Sequence, residues 1–291
     1  MAVWNLGSIN IDNVYRVPHL PAPGETLSAV SFSQGLGGKG ANMSVAIARA
    51  AARVAHIGAV GRDGAWTVER LMEYGVDTRK IEVKDDTATG HANIAVADDS
   101  ENQIVLFSGS NRGISSDVIG AALAEASPGD MFVTQNETSG QRDAAEMAKQ
   151  MGLRVVYAAA PFDADAVRAV LPFVDLLVLN EVEADQLEAA LGKPVQALGV
   201  PDVVVTLGAD GCKWLTRSGD ETHVPAVPVT PIDTTGAGDT FTGYLVAGLD
   251  RGMPMLQALT LATRAAALMV TRLGTADVIP DLKEIEDATF G

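Results

Sequence analysis

Short apolar runs alternate with longer amphipathic segments through most of the chain. Strand-length apolar runs lie at Val54 to Val60, Met131 to Val133, Leu153 to Tyr157, Leu176 to Leu179 and Val203 to Leu207. Segments with a helical period lie at 64–74, 139–151, 163–171, 181–191, 236–249 and 254–272. This alternation predicts an α/β protein built from βα units, with a mostly parallel central sheet flanked by helices on both faces.

Two parts of the chain break this pattern. In residues 26–34, 89–97 and 102–108, polar and apolar positions interleave without a helical period, which predicts antiparallel strands with one solvated face. The polar turn 98–101 would join the last two strands as a hairpin. Without a linker or repeat, the chain is predicted to be a single domain over 1–291, with lid strands within about 11–34 and 88–108. Exposed lid edges would allow a homodimer.

Composition and charge narrow the class of protein. The 21 Lys and Arg residues against 37 Asp and Glu give 21 − 37 = −16, a sign that opposes nucleic-acid binding. No apolar run reaches the roughly 18 residues that a membrane helix needs, and the N-terminus lacks the basic region of a signal peptide. The single cysteine, Cys212, fits a reducing compartment. We therefore expect a cytoplasmic protein without nucleic-acid or membrane partners.

A first glycine cluster, Gly35 to Gly40, is predicted to open a helix that runs through Asn42 to Arg53. Gly35, Gly37 and Gly40 match the dinucleotide fingerprint G-x-G-x-x-G, with Asp63 placed as the ribose partner. The preceding residues 28–33 are half polar, unlike the buried strand that this fingerprint follows. The cluster alone leaves a nicotinamide-dependent oxidoreductase and a simple turn with a helix cap both open.

A second glycine cluster, in residues 233–241, lies at the start of a long predicted helix. Unpaired backbone N–H groups and the helix dipole at Gly236 and Gly238 favour an anion such as a phosphate. Asp239 follows in the first turn, where its carboxylate could accept a proton from a hydroxyl that attacks the phosphate. An aspartate that only stabilises the helix start is the structural alternative.

The sequence resembles the ribokinase-like family of carbohydrate kinases. Gly236-Ala237-Gly238-Asp239 is similar to the family's anion-hole signature, and 37–42 is similar to its N-terminal signature. Further matches follow in order at 7–12, 23–26, 180–183 and 206–211. The resemblance implies a ribokinase-like fold and a kinase that transfers the γ-phosphate of ATP to a primary hydroxyl of a small sugar, ribose or a related pentose being favoured.

The resemblance also implies residue roles. Asp239 would be the general base, with Gly236, Ala237 and Gly238 as the anion hole. The sugar-binding residues would be Asn10, Asp12, Gly38, Lys39, Asn42, Glu137 and Asp239. The nucleotide-binding residues would be Asn180, Glu183, Thr206, Gly208, Gly211 and Gly238. Glu183 would also hold Mg²⁺ through water, and Asp233, Thr235 and Gly274 match a loop for a monovalent cation such as K⁺.

Other substrates stay open on the sequence alone. Fructose, 2-keto-3-deoxygluconate and an adenosine-type nucleoside are alternatives within the kinase class, and a catalytically silent sugar sensor is an alternative outside it. The chain departs from the family at Ala158, where asparagine is usual, at Met43 in place of glutamine, and at Val278 in place of serine. The four histidines have no metal-ligand spacing and are expected to be structural.

Overall fold

The computed structural model describes residues 1–99 and 101–289, which form two sheets. The central sheet has nine strands in the order β13-β12-β11-β10-β9-β8-β1-β4-β5, and a small sheet has four strands in the order β3-β2-β6-β7. The strands are β1 (Val3–Leu6), β2 (Asn10–Arg16), β3 (Ser31–Gly37), β4 (Val54–Gly61), β5 (Asp77–Lys84), β6 (Gly90–Val96), β7 (Asn102–Phe107), β8 (Met131–Thr134), β9 (Arg154–Ala158), β10 (Leu176–Asn180), β11 (Asp202–Thr206), β12 (Cys212–Thr216) and β13 (Glu221–Val224). The helices are α1 (Lys39–Arg49), α2 (Ala65–Glu73), α3 (Ser116–Leu123), α4 (Gln141–Gln150), α5 (Ala164–Val170), α6 (Glu181–Leu191), α7 (Ala237–Asp250), α8 (Met255–Met269) and α9 (Leu282–Asp287).

The central sheet is parallel from β5 across to β11. The pairs β11–β12 and β12–β13 are antiparallel. Alternate side chains of its strands enter two separate cores, as the period-two geometry of a strand requires. Val3 and Val133 pack in the core with α1, α7 and α8, whereas Leu6 and Phe132 pack with α3 to α6. Helices thus cover both faces, and the predicted α/β fold class is confirmed.

The small sheet contains the segments with interleaved polar and apolar residues. Strands β6 and β7 pair antiparallel, and so do β2 and β3, but β2 and β6 run parallel, so the antiparallel prediction is only partly right. A parallel pair is possible here because α1, β4, α2 and β5 lie between β2 and β6 in the chain and provide the long connection that such pairing needs. Ser100, in the predicted hairpin turn, lies outside the described residues.

Two boundaries differ from the predicted ones around the first glycine cluster. Strand β3 continues through Gly37, and α1 begins only at Lys39, because Gly35 and Gly37 pair with Asp12 and Asn10 of β2. Helix α1 ends at Arg49 rather than at Arg53, because the chain turns at Ala50 and Ala51, the latter with a φ of 59°. The cluster therefore joins the small sheet to the α/β body. In the described part of the chain, no helix is long and apolar enough to cross a membrane.

Candidate active site

Several of the predicted site residues lie at one edge of the central sheet, whereas Asn10 and Asp12 lie on β2 of the small sheet. Strands β1, β8, β10 and β11 are mutually parallel members of that sheet, so their carboxyl ends face the same way. Glu137 follows β8, the Asn180 to Glu183 turn follows β10, and Thr206 ends β11. Ligands of open α/β sheets bind at this edge, because the loops after the strands converge there. The fold thus brings together segments that are far apart in the chain.

Asp239 is buried in the first turn of α7 and is tied to α1. Its Oδ2 accepts a hydrogen bond of 2.9 Å from Nδ2 of Asn42. Burial raises the pKa of Asp239 to about 6, while the Lys39 ammonium and the Asn42 amide act in the opposite direction. A carboxyl group with such a pKa is ionised at neutral pH and basic enough to accept a proton. The arrangement suits a general base better than a helix cap.

The turn before Asp239 exposes the start of α7 to a ligand. Gly236 is the N-cap residue and has a φ of +77°, a left-handed conformation that glycine adopts without strain. A side chain at Gly238 would meet no atom within 4 Å, so open space lies over that backbone. The first turn of a helix has N–H groups without intrahelical acceptors, and they favour an anion. Gly236 to Gly238 therefore form a cradle of phosphate-binding type.

Gly38 and Lys39 begin α1 beside this turn. Gly38, with a φ of +94°, lies so close to the backbone of Ser8 and Asn10 that a Cβ would stand 2.9 Å from each. The charge of Asp239 raises the pKa of Lys39 against the effect of its burial, and Glu137 and Glu183 act in the same sense as Asp239. The charged form of Lys39 is thus favoured by three carboxylates of the site.

Asn10 and Asp12 lie two residues apart on β2, and therefore on one face of the strand. Burial raises the pKa of Asp12 to about 7, and the negative charges of Glu137 and Asp239 add to the effect. The Asp12 carboxyl group lies over Gly37, where a Cβ would come within 2.1 Å of Oδ2. Asp12 is therefore a partly buried carboxyl group under the influence of two other carboxylates. A hydroxyl group that donates a hydrogen bond to it would stabilise its ionised form.

Glu137 is held against the start of α1. Its Oε2 accepts a hydrogen bond from the Ser8 hydroxyl and one of 3.2 Å from the backbone N–H of Lys39. The Ser8 hydroxyl in turn accepts the N–H of Gly40 at 3.2 Å. The contact of Ser8 with Glu137 was not predicted, because a hydroxyl between β1 and β2 becomes informative only once Glu137 is known to lie beside it.

Asn180 and Glu183, two of the residues predicted to bind the nucleotide, form a reciprocal cap of α6. The Asn180 Oδ1 accepts the Glu183 N–H at 2.7 Å, and the Glu183 carboxylate accepts the Asn180 N–H at 2.9 Å. Burial raises the pKa of Glu183, although the cap and Lys39 lower it. Glu183 still has a second carboxylate oxygen, so capping is compatible with a magnesium-bound water network.

The remaining nucleotide-binding candidates surround the end of β11. The Thr206 hydroxyl donates weakly to the Leu179 carbonyl at 3.4 Å, and Gly208 and Gly211 follow in a short loop with positive φ. The Ala158 side chain is buried in the core rather than directed at this edge.

The predicted cation loop is closed by Asp233. Its Oδ1 accepts the N–H of Thr235 at 2.9 Å, and its Oδ2 accepts the N–H of Gly274 at 3.3 Å. The carboxylate therefore joins the segments before α7 and after α8. Within residues 1–99 and 101–289, no group of three or more His, Cys, Asp or Glu side chains is arranged to hold a metal ion.

The structure does not support a dinucleotide-binding site at Gly35 to Gly40. Gly35 and Gly37 belong to the small sheet instead of following a buried parallel strand. Asp63, the expected ribose partner, accepts hydrogen bonds from the backbone N–H and hydroxyl of Thr89 at 3.0 and 2.9 Å. It has a structural role at the junction of the two sheets.

Comparison with known proteins agrees with the geometry. The chain matches the pfkB family of carbohydrate kinases over residues 3–282. It is 37% identical to a ribokinase of Haemophilus influenzae over 96% of this chain and 95% of that protein, and 31% identical to a deoxyribokinase of Salmonella typhi over 99% and 98%. The structure of Arabidopsis thaliana ribokinase complexed with ribose and ATP superposes with a TM-score of 0.85, at 27% identity and 98% coverage of both chains.

Proposed function

Because the chain belongs to the pfkB family of carbohydrate kinases and is a phosphotransferase, we propose that it transfers the γ-phosphate of ATP to the primary hydroxyl of ribose or a related pentose. The observation that carries this proposal is the position of Asp239. Its carboxylate is buried, held by Asn42 and stabilised in its ionised form by the charge of Lys39, directly after a glycine turn open to an anion. The proposed proton acceptor, Asp239, and the proposed phosphate site, Gly236 to Gly238, thus lie next to each other at the start of α7.

In the proposed reaction, the sugar hydroxyl attacks the γ-phosphorus, the bond from that phosphorus to the β–γ bridging oxygen breaks, and ADP leaves. Asp239 takes the hydroxyl proton through the carboxylate oxygen that Asn42 leaves free. The Gly236 to Gly238 backbone and Lys39 stabilise the charge on the transferred phosphoryl group, and such positioning with electrostatic stabilisation dominates this chemistry. Asn10, Asp12 and Glu137 hold the sugar. We further propose that the small sheet covers it and excludes water.

Two cations fit the residues present. Mg²⁺ keeps several waters and binds through one or two carboxylates plus nucleotide phosphates, and Glu183 offers one carboxylate oxygen for such a water network. The ion would neutralise phosphate charge in a site that is already rich in carboxylates. For K⁺, Asp233 joins the segments whose carbonyls at Thr235 and Gly274 would act as ligands.

A substrate panel tests the proposal. With ATP and Mg²⁺, kcat/KM should be highest for ribose and at least about tenfold lower for fructose, 2-keto-3-deoxygluconate, adenosine and inosine, because a site built for one set of hydroxyls rejects a misplaced set. The relatives named ribokinase and deoxyribokinase support a pentose as the substrate class. A nucleoside turned over faster than every free sugar would contradict the pentose assignment while leaving the kinase class intact.

We also propose that two copies associate through the small sheet. Its edge strand β7 exposes every residue, with Ile104, Val105, Leu106 and Phe107 between 51% and 61% exposed. An exposed apolar edge strand has unpaired backbone N–H and C=O groups that can pair with a strand of another chain. Light scattering should give twice the 30.2 kDa of one chain, and Val105→Lys should give the monomer, whereas Leu256→Lys on α8 should not. A monomeric wild-type protein at every concentration would refute this proposal.

A further inference from the structure

Asn111, which follows β7 in a short turn, contacts the strand that carries Asn10 and Asp12. It is only 1% exposed. Its Oδ1 accepts the backbone N–H of Ile9 at 3.0 Å, and its Nδ2 donates to the Ile9 carbonyl at 3.2 Å and to Oδ1 of Asn10 at 2.8 Å. A residue about a hundred positions from β2 along the chain therefore holds the first side chain of that strand.

The orientation of both amides follows from one backbone group. The Ile9 N–H can only donate, so the Asn111 atom facing it is the carbonyl oxygen. The other terminal atom of Asn111 is then the NH₂ group, which only donates, so the Asn10 atom 2.8 Å from it is the acceptor Oδ1. The Asn10 NH₂ group is left over, and within the described part of the chain it has no protein acceptor. Asn10 thus presents a donor to the site.

Gly90 on β6 makes this contact possible. A Cβ at Gly90 would lie 2.2 Å from Nδ2 of Asn111 and 2.4 Å from Oδ1 of Asn10. Gly90 pairs with Asn10 across the parallel strands, so a side chain at that position would separate the two amides. Asn10, Gly90 and Asn111, from three different segments, therefore together determine that Asn10 accepts from Asn111.

We propose that Asn111 is a positioning residue that fixes Asn10 as a hydrogen-bond donor to the sugar, beside Asp12 as the acceptor. This inference rests on the proposed function, because it assumes that sugar hydroxyls bind at Asn10 and Asp12. At pH 8, above its pKa of about 7, the Asp12 carboxylate is ionised and only accepts hydrogen bonds. The site then selects a vicinal diol in which one hydroxyl accepts from Asn10 and its neighbour donates to Asp12.

Replacing single hydroxyl groups of ribose tests which hydroxyl accepts a hydrogen bond from Asn10 and which donates one to Asp12. Fluorine accepts a weak hydrogen bond and donates none, whereas hydrogen does neither. With 2-deoxy, 2-deoxy-2-fluoro, 3-deoxy and 3-deoxy-3-fluoro ribose, one position should tolerate fluorine within about threefold in kcat/KM and lose about tenfold with hydrogen. The other position should lose about tenfold or more with either replacement, because Asp12 needs a donor.

The isosteric variant Asn111→Asp should abolish the tolerance for fluorine at the first position. The carboxylate still accepts the Ile9 N–H but offers no donor to Asn10, whose amide then turns its NH₂ group toward the carboxylate and its oxygen toward the sugar. Asn93→Asp, the same change in an exposed amide pair on β6, is the matched control and should retain the wild-type ranking. An unchanged ranking in Asn111→Asp overturns the inference.

A second measurement needs neither turnover nor a folded variant. In ¹⁵N NMR spectra of the ligand-free wild-type protein, the side-chain NH₂ protons of Asn111 should be protected from solvent exchange, while those of Asn10 should exchange rapidly. The reverse pattern refutes the orientation. If the wild-type protein phosphorylates no pentose but shows the expected exchange pattern, the proposed function fails and the positioning role of Asn111 survives.

Discussion

Replacing Asp239 with asparagine is expected to lower kcat by about 10²–10⁴-fold, the usual contribution of a positioned general base. Asparagine keeps the size of the side chain and can still accept the hydrogen bond from Asn42, but it does not accept the hydroxyl proton. The affinity for sugar and nucleotide should remain within a few-fold. Steady-state kinetics of the folded variant, with unfolding midpoints on the same preparation, measure both quantities.

The control for this change is Asp250→Asn, at the other end of α7. Asp250 is also buried, but it lies far along the helix from the glycine turn, so its replacement should leave kcat near the wild-type value. In the wild-type protein, kcat/KM should fall as the pH drops through about 6, because protonated Asp239 in the free enzyme no longer accepts a proton. If folded Asp239→Asn protein turns over within about threefold of wild type, well short of the general-base range, Asp239 is not the base.

Replacing Asp12 with asparagine should stabilise the ligand-free protein at pH 8 while weakening sugar binding. The folded-state pKa of Asp12 is about 7, against 3.8 in the unfolded chain, so the folded protein binds the proton more tightly. The free energy of unfolding therefore falls as the pH rises from about 4 to about 7. A neutral amide avoids this loss, which amounts to roughly 1–4 kcal/mol at pH 8 and vanishes near pH 4.

Asp130→Asn is the matched control for the stability measurement, with the opposite sign. Burial raises the pKa of Asp130, but hydrogen bonds from the N–H groups of Ser127, Ala2 and Trp4 outweigh it and leave the pKa lowered. The ionised Asp130 carboxylate thus stabilises the fold above about pH 4, and its replacement should cost about 1–3 kcal/mol at pH 8.

Denaturant unfolding at pH 4 and pH 8 measures both variants. Calorimetry should show sugar affinity reduced at least about tenfold in Asp12→Asn, with ATP affinity nearly unchanged, because the carboxylate–hydroxyl bond is charge-assisted. An Asp12→Asn protein that is less stable than wild type at pH 8 would contradict the unfavourable environment assigned to this carboxyl group.

The parts of the fold that local sequence determines were predicted well. The apolar runs at 54–60, 131–133 and 176–179 each coincide with a parallel strand, because strands buried on both faces require continuous apolar residues. Helix α7 begins at Ala237, directly after the glycine that favours such a start. These signals depend on neighbours in the chain, so a single sequence contains them.

The parts that depend on contacts between distant segments were not predictable in the same way. The end of β3 at Gly37 is set by pairing with β2, which overrides the local tendency of the glycine cluster to open a helix. Strands β1, β5, β12 and β13 were not identified, and β5 has too many charged residues to be recognised as a strand without its partner β4. The roles of Ser8 and Asn111 were not predicted, because they depend on contacts with Glu137 and Asn10.

The most direct test of the account is to identify the product by ³¹P NMR. Wild-type protein with ATP, Mg²⁺ and ribose should give one ADP for each new phosphomonoester, and the phosphorus of that ester should couple to the protons of the primary carbon of the sugar. Asp239→Asn should form the same product at the reduced rate. ATP consumed only to inorganic phosphate, or a phosphate attached to a ring hydroxyl, would contradict transfer to the primary hydroxyl with Asp239 as its base.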